Sequence, residues 1–197
     1  MSVSLVGVLS LFLVVVTCAP TPVWPLAWNA TFIKISGKPD AGPITFGKFY
    51  FDISKQAARF DFYEHYPNVD NEQGITCQIF MTATQQFFVD PKKKLCTLAH
   101  DGLGVITPSF VDGADYLGST YLRDVRAERF RVPIPGDPID YYVRAVDGIP
   151  MRTTNQQEDP GATDYVDVLL GPQEAKTLRI PVSCLNPLPR GVGPSCG

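Results

Sequence analysis

Gly47-Lys48-Phe49-Tyr50-Phe51-Asp52-Ile53 and Ala58-Arg59-Phe60-Asp61-Phe62-Tyr63 stand on either side of Ser54-Lys55-Gln56, and their pattern decides the fold class. In the second run Phe60 and Phe62 alternate with Arg59, Asp61 and Tyr63. A period of two gives one face of a strand to an apolar interior and the other to water. The two runs therefore read as the arms of a β-hairpin.

The same reading extends outward in both directions. Residues 31–36 form a preceding strand. Thr76-Cys77-Gln78-Ile79-Phe80-Met81, Gln86-Phe87-Phe88-Val89 and Leu95-Cys96-Thr97-Leu98 continue the meander, with Asp90-Pro91-Lys92-Lys93-Lys94 as the last turn. Further strands are expected at 129–134, 141–146, 151–154 and 165–170. Eighteen prolines and sixteen glycines punctuate the chain too often for long helices. One short helix is expected over residues 172–178, with Pro172 in its first turn, and a single helical turn within residues 110–117.

The first nineteen residues, MSVSLVGVLSLFLVVVTCA, contain no charged side chain. Their apolar run is shorter than the roughly 20 residues a bilayer-spanning helix needs, and small residues follow it at once. Residues 1–19 read as a secretory signal peptide, cut between Cys18 and Pro22, and residues 20–197 as a single β domain. Acylation at Cys18 and an uncleaved signal anchor are the alternatives. Of five cysteines, Cys77, Cys96, Cys184 and Cys196 remain after removal of the leader. Four pair completely, so two disulfides are expected in an oxidising compartment, with all three connectivities open from spacing alone. Asn29-Ala30-Thr31 is an N-glycosylation sequon, expected at the surface.

Seventeen basic and twenty acidic residues leave a net charge of −3, with Lys92-Lys93-Lys94 the one basic cluster, which reads as a hairpin tip rather than a nucleic-acid patch. There is no CxxC pair and no G-x-S-x-G elbow, and His65 and His100 are isolated. No catalytic residue is assigned, and the chain is expected not to be an enzyme. Asp112, Asp115, Asp159, Asp164 and Asp167 lack the spacing of an EF-hand and read as solvated loop acids.

A family resemblance rests on a succession of short motifs. Phe87-Phe88-Val89-Asp90 and Lys94-Leu95-Cys96 lead to Gly113-Ala114-Asp115-Tyr116-Leu117-Gly118-Ser119. Asp140-Tyr141-Tyr142-Val143, Gly148-Ile149-Pro150 and Ile180-Pro181-Val182-Ser183-Cys184 follow. In this order they resemble the ependymin-related proteins, over roughly residues 44 to 196. The chain departs from that pattern in lacking a cysteine before Gly148-Ile149-Pro150 and another near the mature N-terminus. These two would be partners, so neither leaves a free thiol. The resemblance implies a mainly β fold of two stacked, curved antiparallel sheets, a lipoprotein-carrier-like half barrel with one or two short helices. It implies the pairs Cys77 with Cys196 and Cys96 with Cys184, and brings in calcium as an associated ion, no other cofactor being required.

Phe49, Phe51, Phe60, Phe62, Phe80, Phe87, Phe130 and Tyr142 lie on these strands and are the candidate lining of an apolar pocket. A solid β-sandwich core needs the same residues, and the resemblance favours the hollow alternative. Two readings follow. The first is a secreted or lysosomal protein that binds a lipid or other hydrophobic molecule between its sheets without covalent chemistry. The second is a secreted adhesion or extracellular-matrix protein with a filled interior, acting as a homodimer.

Overall fold

The described residues form eleven strands: β1 (Ala27–Ser36), β2 (Thr45–Asp52), β3 (Ala57–Tyr63), β4 (Ile75–Met81), β5 (Gln85–Asp90), β6 (Leu95–Asp101), β7 (Asp115–Leu122), β8 (Val125–Val132), β9 (Ile139–Arg144), β10 (Pro150–Asn155) and β11 (Gly161–Leu170). The computed structural model describes residues 19–36, 44–63, 74–102, 104–134, 136, 138–155 and 161–193. The signal peptide expected at residues 1–19 therefore lies, apart from Ala19, outside the described residues.

The strands form one antiparallel sheet in the order β6-β5-β4-β3-β2-β1-β11-β10-β9-β8-β7. Two meanders, β1 to β6 and β7 to β11, are joined in the middle by the pairing of β1 with β11. The mainly β half barrel expected from the sequence is thus present, but its two layers are continuous through that pair rather than separate stacked sheets. Curvature brings them together. The Trp24 ring lies 6.1 Å from Phe51 on β2 and 5.6 Å from Tyr141 on β9. Four strand steps of about 4.8 Å would hold those strands apart in a flat sheet, so the sheet curls around Trp24.

The hairpin of β2 and β3 has the register its alternation requires, Phe49 opposite Phe60 and Phe51 opposite Ala58. Its turn is a 3-10 turn over Ile53–Lys55, capped by Asp52 and closed by Gln56 in the left-handed region. One close approach fixes a residue type nearby. The position a Cβ would take on Gly47 is 2.1 Å from Cζ of Phe32 and 2.4 Å from the Asp61 carbonyl oxygen, so only glycine lets the Phe32 ring lie flat across the strand.

Two expectations are corrected. Residues 172–178 are not a helix: they form a turn, in which the Thr177 N–H donates to the Glu174 carbonyl, and the segment is held by contacts to the sheet. The stretch expected to make a helical turn is partly a strand, β7. Gly118, with φ of +102°, sits at a register shift between Tyr116 and Gly118, and this bulge hides the alternation. The helical turn itself is real but earlier, a 3-10 turn over Pro108–Val111.

Chain beyond β11 returns over the outer, convex side. Its Gln173 N–H donates to Asp52, the Thr177 carbonyl accepts from Arg59 Nη1 at 3.0 Å, and Cys184 is bonded to Cys96 on β6. Leu188 then pairs with both backbone groups beside Thr97, covering the exposed edge of β6. Several charged residues on the convex side of β8 to β11 are paired among themselves. Arg129 and Arg131 both bind Asp140, and Arg152 binds Asp164 at 2.5 Å.

Candidate functional site

The strand registers write two rows of side chains, one on each face. Ala30 is opposite Phe49, Phe49 opposite Phe60, Phe60 opposite Ile79 and Ile79 opposite Phe88. This concave row is apolar throughout. Ala30 and Phe49 are buried, whereas Phe60, Ile79 and Phe88 are partly buried. Phe62 and Met81 flank the row, also partly buried and packed against the core. The row one residue along, Tyr50, Arg59, Phe80, Phe87 and Leu98, lies on the convex face.

At its other end the concave face is filled. Trp28 packs on Phe49 at 4.7 Å and on Tyr165 at 5.1 Å, with rings edge to face. Trp24 meets Trp28 and Phe110 at 5.3 Å each. Phe110 belongs to the connection between β6 and β7, strands at opposite edges of the sheet. That connection crosses the concave face, seating Val105, Ile106, Phe110 and Val111 on the aromatic cluster. It is fastened by the Val105 N–H, which donates to the Thr82 carbonyl at 2.8 Å.

Polar groups inside this cluster are few. Tyr141 donates its hydroxyl to the Val23 carbonyl at 3.0 Å, and burial, with Tyr165 nearby, holds its phenol well above the ordinary range. Burial raises Tyr165 too, against the hydrogen bond to Thr153. The indole N–H groups of Trp24 and Trp28 are buried with no acceptor among the described residues. A buried donor without a partner costs about 1 to 3 kcal/mol. The site therefore holds an apolar surface and two such donors. Among the described residues it holds no nucleophile beside a base: His100, on β6, is half-buried opposite Gln86, and His65 lies outside the described residues.

Of the residues expected to line one pocket, Phe49, Phe51, Phe60, Phe62 and Phe130 share the concave cluster. Phe80 and Phe87 do not. They point to the convex side, into a separate cluster with Val89 and the Cys96–Cys184 pair. Tyr142 is likewise on the convex face, where the Arg129 guanidinium lies 5.6 Å from its ring, while Tyr141 is the tyrosine turned inward. The reason is parity: adjacent strand residues face opposite ways. Ile79, Phe88, Trp24 and Trp28 escape the sequence reading. The buried Val143 two residues beyond Tyr141 marks the inner face and is the signal that separates the two tyrosines.

The Cys96–Cys184 disulfide is formed as expected. Cys77 is also disulfide-bonded, and its expected partner, Cys196, lies outside the described residues. A buried disulfide fits a chain that folds in an oxidising compartment. Asn29 is not at an open surface. It is half-buried within β1, and its amide donates to Gln173 Oε1 at 3.2 Å. Among the described residues no group of three or more side chains is arranged to hold a metal ion, and Asp164 is engaged by Arg152. No helix among them is long and apolar enough to cross a membrane.

No protein-family model matches the chain, and neither does any curated protein. Solved structures do. An uncharacterized conserved protein from Thermus thermophilus superposes with a TM-score of 0.55 at 13% identity, over 83% of this chain and 90% of that one. A LolA superfamily protein from Nitrosomonas europaea matches with a TM-score of 0.39 at 9% identity, over 80% and 92% of the two chains. A putative outer membrane lipoprotein-sorting protein domain from Vibrio parahaemolyticus gives 0.40 at 8% identity, over 77% and 88%. At these identities the likeness to the Thermus protein is one of fold alone.

Proposed function

We propose that this chain is a non-enzymatic protein that binds a lipid or other hydrophobic molecule on the concave face of its half barrel. One observation supports the reading above others: the apolar row of Phe49, Phe60, Ile79 and Phe88 runs out of the closed core into side chains that are only partly buried on the inside of a curved sheet. Apolar surface left there is stabilised by about 25 cal/mol per Å² when an acyl chain covers it. The indole donors of Trp24 and Trp28, which have no acceptor among the described residues, favour a ligand with an oxygen acceptor at one end. Membership of the ependymin-related proteins, export to the extracellular space or the lysosomal lumen, and calcium as an associated ion are parts of the same proposal. The adhesion or matrix reading, with a homodimer, is favoured by a different observation, the interlocking of Trp24, Trp28, Phe51 and Phe110.

Titration with a fluorescent long-chain fatty acid, together with native mass spectrometry of the protein purified from a secretory host, separates the two. The binding reading expects a saturable site and a copurifying lipid, both lost in Phe62→Glu and retained in Tyr121→Glu, a change at an exposed side chain. Failure of the intact protein to take up the probe, with no copurifying lipid, leaves the solid-interior reading.

A further inference from the structure

We propose that the convex side carries a second, independent site, which takes a small organic anion, a phosphate or carboxylate on an aromatic or aliphatic body, beside the C-terminal segment. That segment is tied down at Gln173 by Asp52, at Thr177 by Arg59 and at Cys184 by Cys96. Between these ties it forms one wall of an open groove of about 760 Å³ on the convex face. This is within the size range of small-molecule sites. Because that wall is anchored covalently and by a buried carboxylate, the groove is formed before any ligand arrives, which lowers the ordering cost of binding.

The lining sets the ligand class. The floor is the convex row of Tyr50, Arg59 and Phe80, with the Arg59 guanidinium 5.7 Å from one ring and 5.4 Å from the other. Lys92, Lys176 and Arg179 stand around it, and no carboxylate is among the described lining residues. Not all of this charge is available. Arg59 is neutralised by Asp61 at 2.7 Å, and Lys176 is paired with Glu174 at 2.8 Å. Lys92 and Arg179, from the β5–β6 turn and the C-terminal segment, have no ion pair among the described residues. Two cations without an ion pair among the described residues, over an aromatic floor in a chain of net charge −3, concentrate positive potential in the groove. An anion with an apolar body satisfies both halves of that surface. A neutral apolar molecule leaves the cations unused.

The test is calorimetric titration of the whole chain with 1-naphthyl phosphate, 1-naphthol and inorganic phosphate. One naphthyl phosphate per chain is expected to bind, about tenfold weaker in Lys92→Glu and in Arg179→Glu, and weaker again when salt is raised to about 0.5 M. Naphthol binds at least about tenfold more weakly, because the charge attraction is lost. Both substituted side chains are exposed, so thermal unfolding confirms that the variants keep the fold. Phe62→Glu, on the opposite face, leaves this binding unchanged even where it abolishes fatty-acid uptake, so the two sites fail or stand separately. No binding of naphthyl phosphate, equal binding of naphthol, or unchanged affinity in both charge-reversal variants overturns the proposal.

Discussion

Asp52 Oδ2 accepts the backbone N–H of Gln173 at 3.1 Å, joining the first hairpin to a residue 121 positions later. The same carboxylate takes the Ser54 N–H at 3.0 Å and Lys55 Nζ at 2.5 Å. Burial alone would raise its pKa, but the bonds from Lys55, Ser54 and Gln173 outweigh burial and lower it to about 2. The folded value lies below the ordinary one, so the ionised carboxylate stabilises the fold above about pH 4, and that contribution is lost as pH falls through about 2. Asp52→Ala is expected to lose about 2 kcal/mol near neutral pH, with the gap to the parent protein narrowing by a similar amount between about pH 5 and pH 2. Urea unfolding across that range measures it, and amide exchange over residues 171–178 reports release of the C-terminal segment.

Gly47→Ala tests the Phe32 contact. The glycine needs no unusual backbone angle, so the cost is steric: an added methyl meets both the Phe32 ring and the Asp61 carbonyl. About 3 kcal/mol of destabilisation is expected. Because the carbonyl obstructs independently of the ring, adding Phe32→Ala does not restore stability. A chemical-denaturation cycle of the two changes checks this.

Replacing Cys96 and Cys184 together by serine removes a link across 88 residues. Loop closure of that length contributes about 4 kcal/mol on the chain-entropy model. The expected result is a lower denaturation midpoint and exposure of Phe80, Phe87 and Val89, read by increased dye binding on the convex side, with the concave cluster unaffected.

Phe110 caps the aromatic cluster from the crossing connection, 5.3 Å from Trp24. Phe110→Ala is expected to cost about 1 to 2 kcal/mol of stability. If the connection competes with ligand for the concave face, the same change raises affinity for a fluorescent fatty acid about fivefold, since a larger fraction of molecules is competent to bind. Trp24 fluorescence follows both effects, and tighter uptake in a less stable protein is the diagnostic combination.

Much of this fold was legible in the residues. Alternation in Ala58-Arg59-Phe60-Asp61-Phe62 placed a strand and its apolar face correctly, because charged residues occupy every second position and mark the opposite side. In Gln78-Ile79-Phe80 and Gln86-Phe87-Phe88 that marker is absent. Apolar side chains occur on both faces there, since the concave side borders the aromatic row and the convex side is covered by residues from Cys184 onward. Without a polar face, nothing local says which phenylalanine turns inward. Phe80 and Phe87 therefore could not be separated from Ile79 and Phe88.

The residues by themselves determined most strand positions, β7 excepted, the hairpin at residues 53–56 and the need for buried cystine, all of which depend on neighbours a few positions apart or on the count of thiols. The tertiary structure alone decided that β1 pairs with β11 to make one sheet, that the β6–β7 connection closes the concave side, and that the chain after β11 walls a groove on the convex side. Each of these depends on which surface a distant segment covers. That outcome is set by curvature and by contacts such as Asp52 to Gln173, between residues far apart in sequence, and a period-two pattern carries no information about them.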